Sequence, residues 1–187
     1  DQVGEELLSG IGEVVVVPDN LDADEQLTVL GELFEREAEA AALISELEAA
    51  QLSADEAISD ECVVSLATIY GGPSVAAYVE PAWPLPTAIV DAGCTLDPDT
   101  SDADPDSNGR AWLSLEQLGL LDAPTLVLFQ TSSVEGEDEA IEVVESQPLW
   151  PTLPAVASDQ IIVFDRLGYP GAAGQIRFLG ELEAALG

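Results

Sequence analysis

Polar and aromatic side chains follow three of the strands that the sequence predicts. They are Tyr70 at the end of the first, Gln130 after the second, and Arg166 and Tyr169 after the third. Ligands of open α/β sheets bind beyond the carboxyl ends of the strands, so we expect these side chains to border a ligand site. None is a nucleophile with a base beside it. The set therefore indicates binding rather than catalysis, although each tyrosine could instead only cover the sheet edge.

The charge balance excludes several classes of function. The 187 residues include 37 Asp and Glu but only 4 Lys and Arg and no His, which gives a formal net charge of −33. This charge repels nucleic acids and anionic membrane surfaces. The absence of His removes Ser-His-Asp and Cys-His nucleophile systems and imidazole zinc sites. We expect the acidity to reflect solubility or a composition bias of the source, with a specific electrostatic function as the alternative.

Two of the four cations are candidates for ligand binding. Arg36 and Arg177 lie within predicted helices, which leaves Arg110 and Arg166. A guanidinium bonds planar pairs of oxygen atoms and keeps its charge, so it suits an anionic ligand. Arg110 and Trp112 could present a cation and a ring on one side of a cleft. The alternative for Arg110 is an ion pair with the aspartates that precede it.

The order of elements predicts an α/β fold. Strands are expected over residues 14–17, 62–70, 125–129 and 160–164, and helices over residues 21–52, 74–79, 85–92, 137–145 and 174–186. A short helix should also begin after Ser114, which suits an N-cap. Strands that alternate with helices favour a three-layer lobe with a mostly parallel central sheet flanked by helices. A long connecting helix, residues 21–52, would precede this lobe.

An acidic loop before Arg110 resembles the start of a calcium-binding loop. Asp104, Asp106 and Asn108 provide oxygen atoms at alternate positions, and Gly109 follows them. The position that should carry a bidentate glutamate is instead Leu115. We therefore expect a solvated loop, with cation binding by the three oxygen-bearing residues as the alternative.

The two cysteines, Cys62 and Cys94, allow one disulfide. Cys62 opens a predicted strand and Cys94 follows a helix that returns toward the same end of the sheet. An even number of cysteines is compatible with an extracytoplasmic protein. Two buried free thiols are the alternative.

Five segments in the same order resemble the iron-siderophore substrate-binding proteins of bacterial ABC importers. They are residues 14–20 with the helix 21–52, Val63 to Gly72, Leu113 to Leu118 with Leu121 to Ala123, Pro148 to Val156, and Ile161 to Asp165. The stretch with Pro148, Leu149 and Trp150 is the most specific. These proteins have two lobes joined by one long helix, and the chain resembles them over most of its length.

The resemblance implies a domain organisation and a location. Residues 1–20 would end the N-terminal lobe with its last strand, residues 21–52 would form the interlobe helix, and residues 58–187 would form the C-terminal ligand-binding lobe. We expect a fragment that lacks most of the N-terminal lobe. The family's lipoprotein cysteine is absent from this chain. The expected location is extracytoplasmic, either periplasmic or at the cell surface, with membrane contact only through such a lipid anchor.

The resemblance also implies a function without catalysis or a cofactor. The protein would capture a ferric siderophore, often an anionic chelate, and deliver it to an ABC permease. The expected ligand-binding residues are Tyr70, Arg166, Tyr169, Arg110, Trp112 and Gln130. The expected permease-docking residues are Glu137, Asp138 and Glu139, because family permeases would offer basic residues to an acidic knob. The alternatives are an acidic calcium-binding module, or a cobalamin- or haem-binding protein of the same fold.

Overall fold

The computed structural model describes residues 10, 12, 14–17, 21–59, 61–72, 74–102, 104–131 and 134–187. The chain divides into two compact units, Asp1–Ser45 and Glu46–Gly187. Within the described ranges, no helix is both long enough and apolar enough to cross a lipid bilayer.

The predicted strand over residues 14–17 is wrong. These residues form no regular element, and Val15 and Val16 are exposed. A strand needs a hydrogen-bonded neighbour, and none of the described strands pairs with this segment. The other residues of the predicted segment 1–20, apart from positions 10 and 12, lie outside the described part of the chain.

The predicted single helix over residues 21–52 is also wrong, because two helices cover this region. Helix α1 is Ala23–Leu33 and helix α2 is Glu37–Ala57. At the break, the Arg36 amide donates to the Gly31 carbonyl and the Glu35 amide donates to the Glu32 carbonyl. Glu35 has φ of 54°. These bonds form a Schellman motif, in which a left-handed residue ends the helix.

The second unit is built on a six-stranded sheet. Its strands are β1 Val63–Tyr70, β2 Ser74–Tyr78, β3 Thr95–Leu96, β4 Arg110–Leu113, β5 Thr125–Gln130 and β6 Ile161–Asp165. The order is β4-β2-β1-β5-β6, and β3 pairs with the start of β1. Strands β3, β5 and β6 run parallel to their neighbours, whereas β2 pairs antiparallel with both β1 and β4. The predicted α/β class with a mostly parallel sheet is confirmed.

The region after β1 differs from the prediction, because residues 74–78 form β2 instead of a helix. A turn at Gly71 and Gly72, with Gly72 at φ of 81°, reverses the chain so that Tyr70 pairs with Ser74. The segment is too short and too evenly apolar for its periodicity to distinguish a helix from a buried strand. Strand β4 was not predicted either, because its residues follow directly on the acidic loop.

Four helices cover the two faces of the sheet in the second unit, together with the end of α2. They are α3 Pro84–Asp91, α4 Glu137–Glu145, α5 Pro154–Ala157 and α6 Gly171–Leu186. Alternate residues of β5 divide between two cores. Phe129 packs with α3, α6 and Ala54 of α2, whereas Leu128 packs with α4 and α5. The predicted three layers are therefore present.

Local sequence explains how the connections to the sheet are held. A 3-10 helix, Leu115–Leu120, begins at Ser114, whose side chain and that of Gln117 form a capping box. Cys62 and Cys94 form a disulfide bond, which joins the residue before β1 to the residue before β3. This covalent link lies at the amino end of β1, and Tyr70 lies at the other end.

Candidate ligand-binding site

An open cleft of about 300 Å³ lies within the second unit, on the face of the sheet that packs against α3 and α6. Its lining consists of Tyr70, Tyr78, Trp83, Asn108, Arg110, Arg166 and Leu167. The strand register explains part of this grouping, because Tyr78 pairs with Arg110 and Tyr70 lies on the same face of the sheet as both. Arg166 follows β6. The volume is at the lower end of the range for small-molecule sites, about 300–1,000 Å³.

Arg110 connects the acidic loop to the aromatic residues of the cleft. Its Nε and Nη2 atoms donate to Asp106 Oδ2 at 3.2 and 2.9 Å, and its Nη1 donates to the Tyr70 hydroxyl at 3.2 Å. The guanidinium lies 5.1 Å from the centre of the Trp112 ring. Arg110 therefore makes both of the contacts that the sequence offered as alternatives. It lies beside the Trp112 ring, and it forms an ion pair with Asp106.

The contacts with Arg110 determine the charge of Asp106. Hydrogen bonds from Arg110, and further ones from the Asn108 amide and the Trp112 indole, hold the pKa of the Asp106 carboxyl well below its usual range. Burial lowers the pKa of Arg110, but hydrogen bonds to Asp106 and Tyr70 outweigh it, so the net direction is upward. Both groups are therefore charged at neutral pH.

The calcium-loop alternative does not fit the structure. Asp106 Oδ1 accepts from the amides of Asn108 and Arg110, at 2.8 and 3.2 Å. Asp106 Oδ2 accepts from the Arg110 guanidinium and from Trp112 Nε1, the latter at 3.1 Å. Both oxygens are thus engaged by protein donors. Within the described ranges, no group of three or more His, Cys, Asp or Glu residues could hold a metal ion.

Gly109 allows the acidic loop to turn back into β4. It has φ of 69°, and a Cβ atom placed on it would lie 2.4 Å from the Glu80 carbonyl oxygen. That Gly109 carbonyl accepts from the amides of Val79 and Glu80. The Asp-x-Asn-Gly sequence therefore forms a tight turn that positions Arg110.

Arg166 is paired and largely buried. Its Nη2 atom lies 2.6 Å from Glu137 Oε1, and the two side chains are 13% and 1% exposed. The guanidinium also lies 4.7 Å from the centre of the Tyr70 ring. Glu137 is thus inaccessible to another protein, so its assignment as a permease-docking residue is wrong. Asp138 and Glu139 are exposed.

Gln130 lies beneath the cleft instead of lining it. Its side chain is buried, and its backbone carbonyl accepts from the Arg166 amide at 2.8 Å. Four buried polar atoms here have no hydrogen-bond partner among the described residues. They are Gln130 Oε1, Gln130 Nε2, Glu137 Oε2 and Arg166 Nη1. The ligand-contact role expected for Gln130 has no support in this geometry.

Tyr169 is directed away from the cleft. Its hydroxyl donates to Glu181, its ring lies 5.1 Å from that of Phe178, and Arg177 lies 4.8 Å from its centre. Burial, and then the Glu181 contact, raise the pKa of the Tyr169 hydroxyl. Tyr169 covers the sheet edge beside α6, which is the alternative that the sequence left open, so its place in the ligand site is not supported.

Sequence reasoning missed four residues of the cleft lining: Tyr78, Trp83, Asn108 and Leu167. Tyr78 fell in a predicted helix, so the rule about strand ends could not be applied to it. Its hydroxyl is 3.1 Å from Thr68 Oγ1, and burial raises its pKa. Trp83 follows β2, and its ring centre lies 5.6 Å from those of Tyr78 and Phe129. Because β2 runs antiparallel to β1, the rule about the carboxyl ends of parallel strands does not extend to Tyr78 or Trp83.

Solved structures of bacterial binding proteins resemble this fold. One is a FhuD-fold periplasmic component of a ferrichrome ABC transporter from Bacillus subtilis, at 19% identity and a TM-score of 0.75 over 97% of this chain and 70% of that one. FeuA of Bacillus subtilis, a triscatecholate siderophore-binding protein complexed with ferri-bacillibactin, has 22% identity and a TM-score of 0.74 over 99% and 68%. FhuD2 of Staphylococcus aureus with bound ferrioxamine B has 17% identity and a TM-score of 0.74, over 97% of this chain and 71% of that one.

The sequence itself was compared in two further ways. A comparison with curated protein sequences gives no match. The sequence profile of the periplasmic binding protein family matches residues 2–166. This match covers most of the chain, and the solved structures share its fold, so the chain belongs to the periplasmic binding protein family, as its resemblance to substrate-binding proteins of ABC importers predicted.

Proposed function

We propose that the protein captures a ferric siderophore outside the cytoplasm and delivers it to an ABC importer. The observation that carries this proposal is the cleft, where the Arg110 guanidinium contacts both the Tyr70 hydroxyl and the Trp112 ring. A preformed iron chelate needs aromatic faces and hydrogen bonds from the protein, and it needs no direct metal ligand. The proposed contacts are Tyr70, Arg110 and Trp112, with Arg166 behind the Tyr70 ring.

The family and the relatives support this proposal. Periplasmic binding proteins are substrate-binding proteins, which are not enzymes, and they act outside the cytoplasm. FeuA is described with a ferric triscatecholate and FhuD2 with ferrioxamine B. The chain spans about 70% of the length of these structures.

A fluorescence titration of the purified product of the protein's own gene tests the proposal. Ferric chelates quench nearby indoles, so saturable quenching by ferrioxamine B or by ferri-bacillibactin is expected. Trp112, which lies beside the cleft residue Arg110, should contribute to that quenching. The variant Trp112→Phe should therefore lose part of the quenching amplitude, whereas Trp150→Phe, in the core that contains α4 and α5, should keep the ligand-induced change.

Cobalamin and haem are the competing ligands in the same titration. Saturation by either of them, with no response to any ferric siderophore, would overturn the proposal. An absence of saturable binding by every compound would overturn it as well.

We also propose that the importer docks on the exposed start of α4. Asp138 and Glu139 are exposed there, on the same helix turn as the buried Glu137. An acidic first turn is favoured by the helix dipole in any case, so exposure and charge support docking without distinguishing it from helix stabilisation. Charge reversal separates the two roles.

A further inference from the structure

We infer that the cleft selects a neutral or monocationic ferric chelate, of the trihydroxamate type, over a highly anionic one. This inference rests on the proposed function and names the class of ligand for the same site. The sequence suggested the opposite, because two arginines near a strand end favour an anionic ligand. The side-chain contacts change that expectation.

Each arginine of the cleft is already neutralised by a carboxylate. Arg110 Nη2 lies 2.9 Å from Asp106 Oδ2, and Arg166 Nη2 lies 2.6 Å from Glu137 Oε1. The other lining residues are uncharged. The two positive and two negative groups therefore leave the cleft without a net positive charge to attract an anion.

An anionic ligand would have to compete with Asp106 for the guanidinium. Asp106 accepts two side-chain hydrogen bonds from Arg110 and one from Trp112, so displacing it breaks several charge-assisted bonds at once. The displaced carboxylate would remain close to the ligand and repel it. The Arg166 charge is even less available, because its partner Glu137 is almost fully buried.

The charge of the chain as a whole adds to this discrimination. With a formal net charge of −33, the protein repels approaching anions and attracts cations, over distances that salt limits to about 8 Å at physiological ionic strength. The surface that the cleft offers to a ligand is aromatic, since its lining includes Tyr70 and Trp83 and the exposed Trp112 lies beside Arg110.

The test compares two chelates of different charge in the same fluorescence titration. Ferrioxamine B is a monocationic trihydroxamate complex, and ferri-bacillibactin is a trianionic triscatecholate complex. The parent protein should bind ferrioxamine B at least about tenfold more tightly. Asp106→Asn removes the competing carboxylate and should shift the ratio of the two affinities toward ferri-bacillibactin by about tenfold. Arg110→Gln leaves Asp106 unpaired and should shift the ratio in the opposite direction.

The matched control is Asp104→Asn, which removes one charge from an exposed position of the same loop and should leave the ratio unchanged. Circular dichroism checks the folding of each variant, and Arg110→Gln decides the matter if Asp106→Asn does not fold. Tighter binding of ferri-bacillibactin by the parent, or equal ratios in all folded variants, would overturn the inference while leaving the proposed function intact. Failure of both chelates to bind would overturn the proposed function itself, and the inference with it.

Discussion

Arg166 Nη2 lies 2.6 Å from Glu137 Oε1, and this ion pair joins the residue after β6 to the first residue of α4. The contact fixes the position of the guanidinium, which in turn lies over the Tyr70 ring at 4.7 Å. Removing two charges from water is costly, and the pair is retained only because each partner offsets the charge of the other. The orientation of Tyr70 in the cleft thus depends on a residue that lines no part of it.

Loss of one partner of this pair should destabilise the protein strongly. Arg166→Ala leaves the Glu137 carboxylate buried and unpaired, and we expect a loss of about 3–5 kcal/mol in the free energy of unfolding. Urea denaturation measures this loss. The control is Arg36→Ala, because its pair with Glu39 is exposed and should contribute at most about 1 kcal/mol.

A double-mutant cycle identifies the cause of the Arg166 effect. Arg166→Met combined with Glu137→Leu replaces both charges by apolar groups and should recover much of the stability lost in Arg166→Met alone. Equal losses from Arg166→Ala and Arg36→Ala, or a double variant no more stable than the single one, would contradict the assigned role of the pair.

The backbone at Gly109 should be as important for the cleft as its side chains. Gly109→Ala places a Cβ atom 2.4 Å from the Glu80 carbonyl oxygen, at φ of 69°. We expect a destabilisation of about 1–3 kcal/mol from the backbone conformation alone, and more from the overlap. Thermal unfolding measures it. Gly119→Ala is the control, because a Cβ atom there meets no atom within 4 Å. A Gly109 variant as stable as the Gly119 variant would contradict the turn geometry.

The sheet could be predicted from the sequence because its central strands are short apolar runs between turn residues. Strands β1, β5 and β6 lie close to their predicted bounds, and α4 begins and ends at the predicted residues. The helix break could not be predicted, because the residue in the left-handed conformation is Glu35, whereas glycine is the usual signal. The short segment of β2 is equally compatible with a helix in local sequence, and its pairing with β1 and β4 decides its structure.

The candidate site was predictable in its location but not in its electrostatics. The rule about strand ends identified Tyr70 and Arg166 as candidates, and the exclusion of the two helical arginines identified Arg110. All three line the cleft. Tyr169 does not line the cleft, because the chain turns after Gly168 and packs the ring against α6. The pairing of Arg166 with Glu137 joins residues 29 positions apart and depends on the relative positions of α4 and β6. No local pattern shows such a contact.

Asp97 should make stability depend on pH in the acidic range. Burial, and then the negative charge of Asp122, raise the pKa of Asp97 above its usual value. A raised pKa in the folded state means that this group favours folding below its unfolded value, about 3.9, and that this contribution is lost as the pH rises through the folded value. Asp97→Asn should therefore raise the melting temperature at pH 7.

The pH profile of that variant distinguishes the specific effect from the loss of one negative charge. An asparagine can still donate a hydrogen bond to Asp122, so the gain at pH 7 should disappear as the parent is acidified to about pH 3. Asp104→Asn, in an exposed part of the same loop, is the control for net charge. A gain in melting temperature that is equal in the two variants, or one that persists at pH 3, would show that burial beside Asp122 does not raise the pKa of Asp97.

Reduction of the disulfide should lower stability by an amount that increases slowly with the length of the loop that it closes. Cys62 and Cys94 are 32 positions apart, and a loop of this length corresponds to about 3–4 kcal/mol in the chain-entropy treatment. Thermal unfolding with and without a reductant measures the difference. The variant with both cysteines changed to alanine should melt at a temperature that reductant does not affect. If reductant also leaves the melting temperature of the parent protein unchanged, the bond between Cys62 and Cys94 is contradicted.

The proposed docking surface predicts a loss of transport without a loss of binding. Asp138→Lys combined with Glu139→Lys reverses two exposed charges at the start of α4, where basic residues of an importer would otherwise be attracted. We expect uptake of iron from the ferric chelate by intact cells to fall at least about tenfold, with the affinity of the purified protein for the chelate unchanged.

Glu142→Lys combined with Glu145→Lys is the matched control, because it reverses two exposed charges further along the same helix. Unfavourable charges in the first turn also cost the helix about 0.3–1 kcal/mol each, so unfolding must be measured on both variants. Normal uptake by the first variant, or an equal loss in the control, would place the docking surface elsewhere.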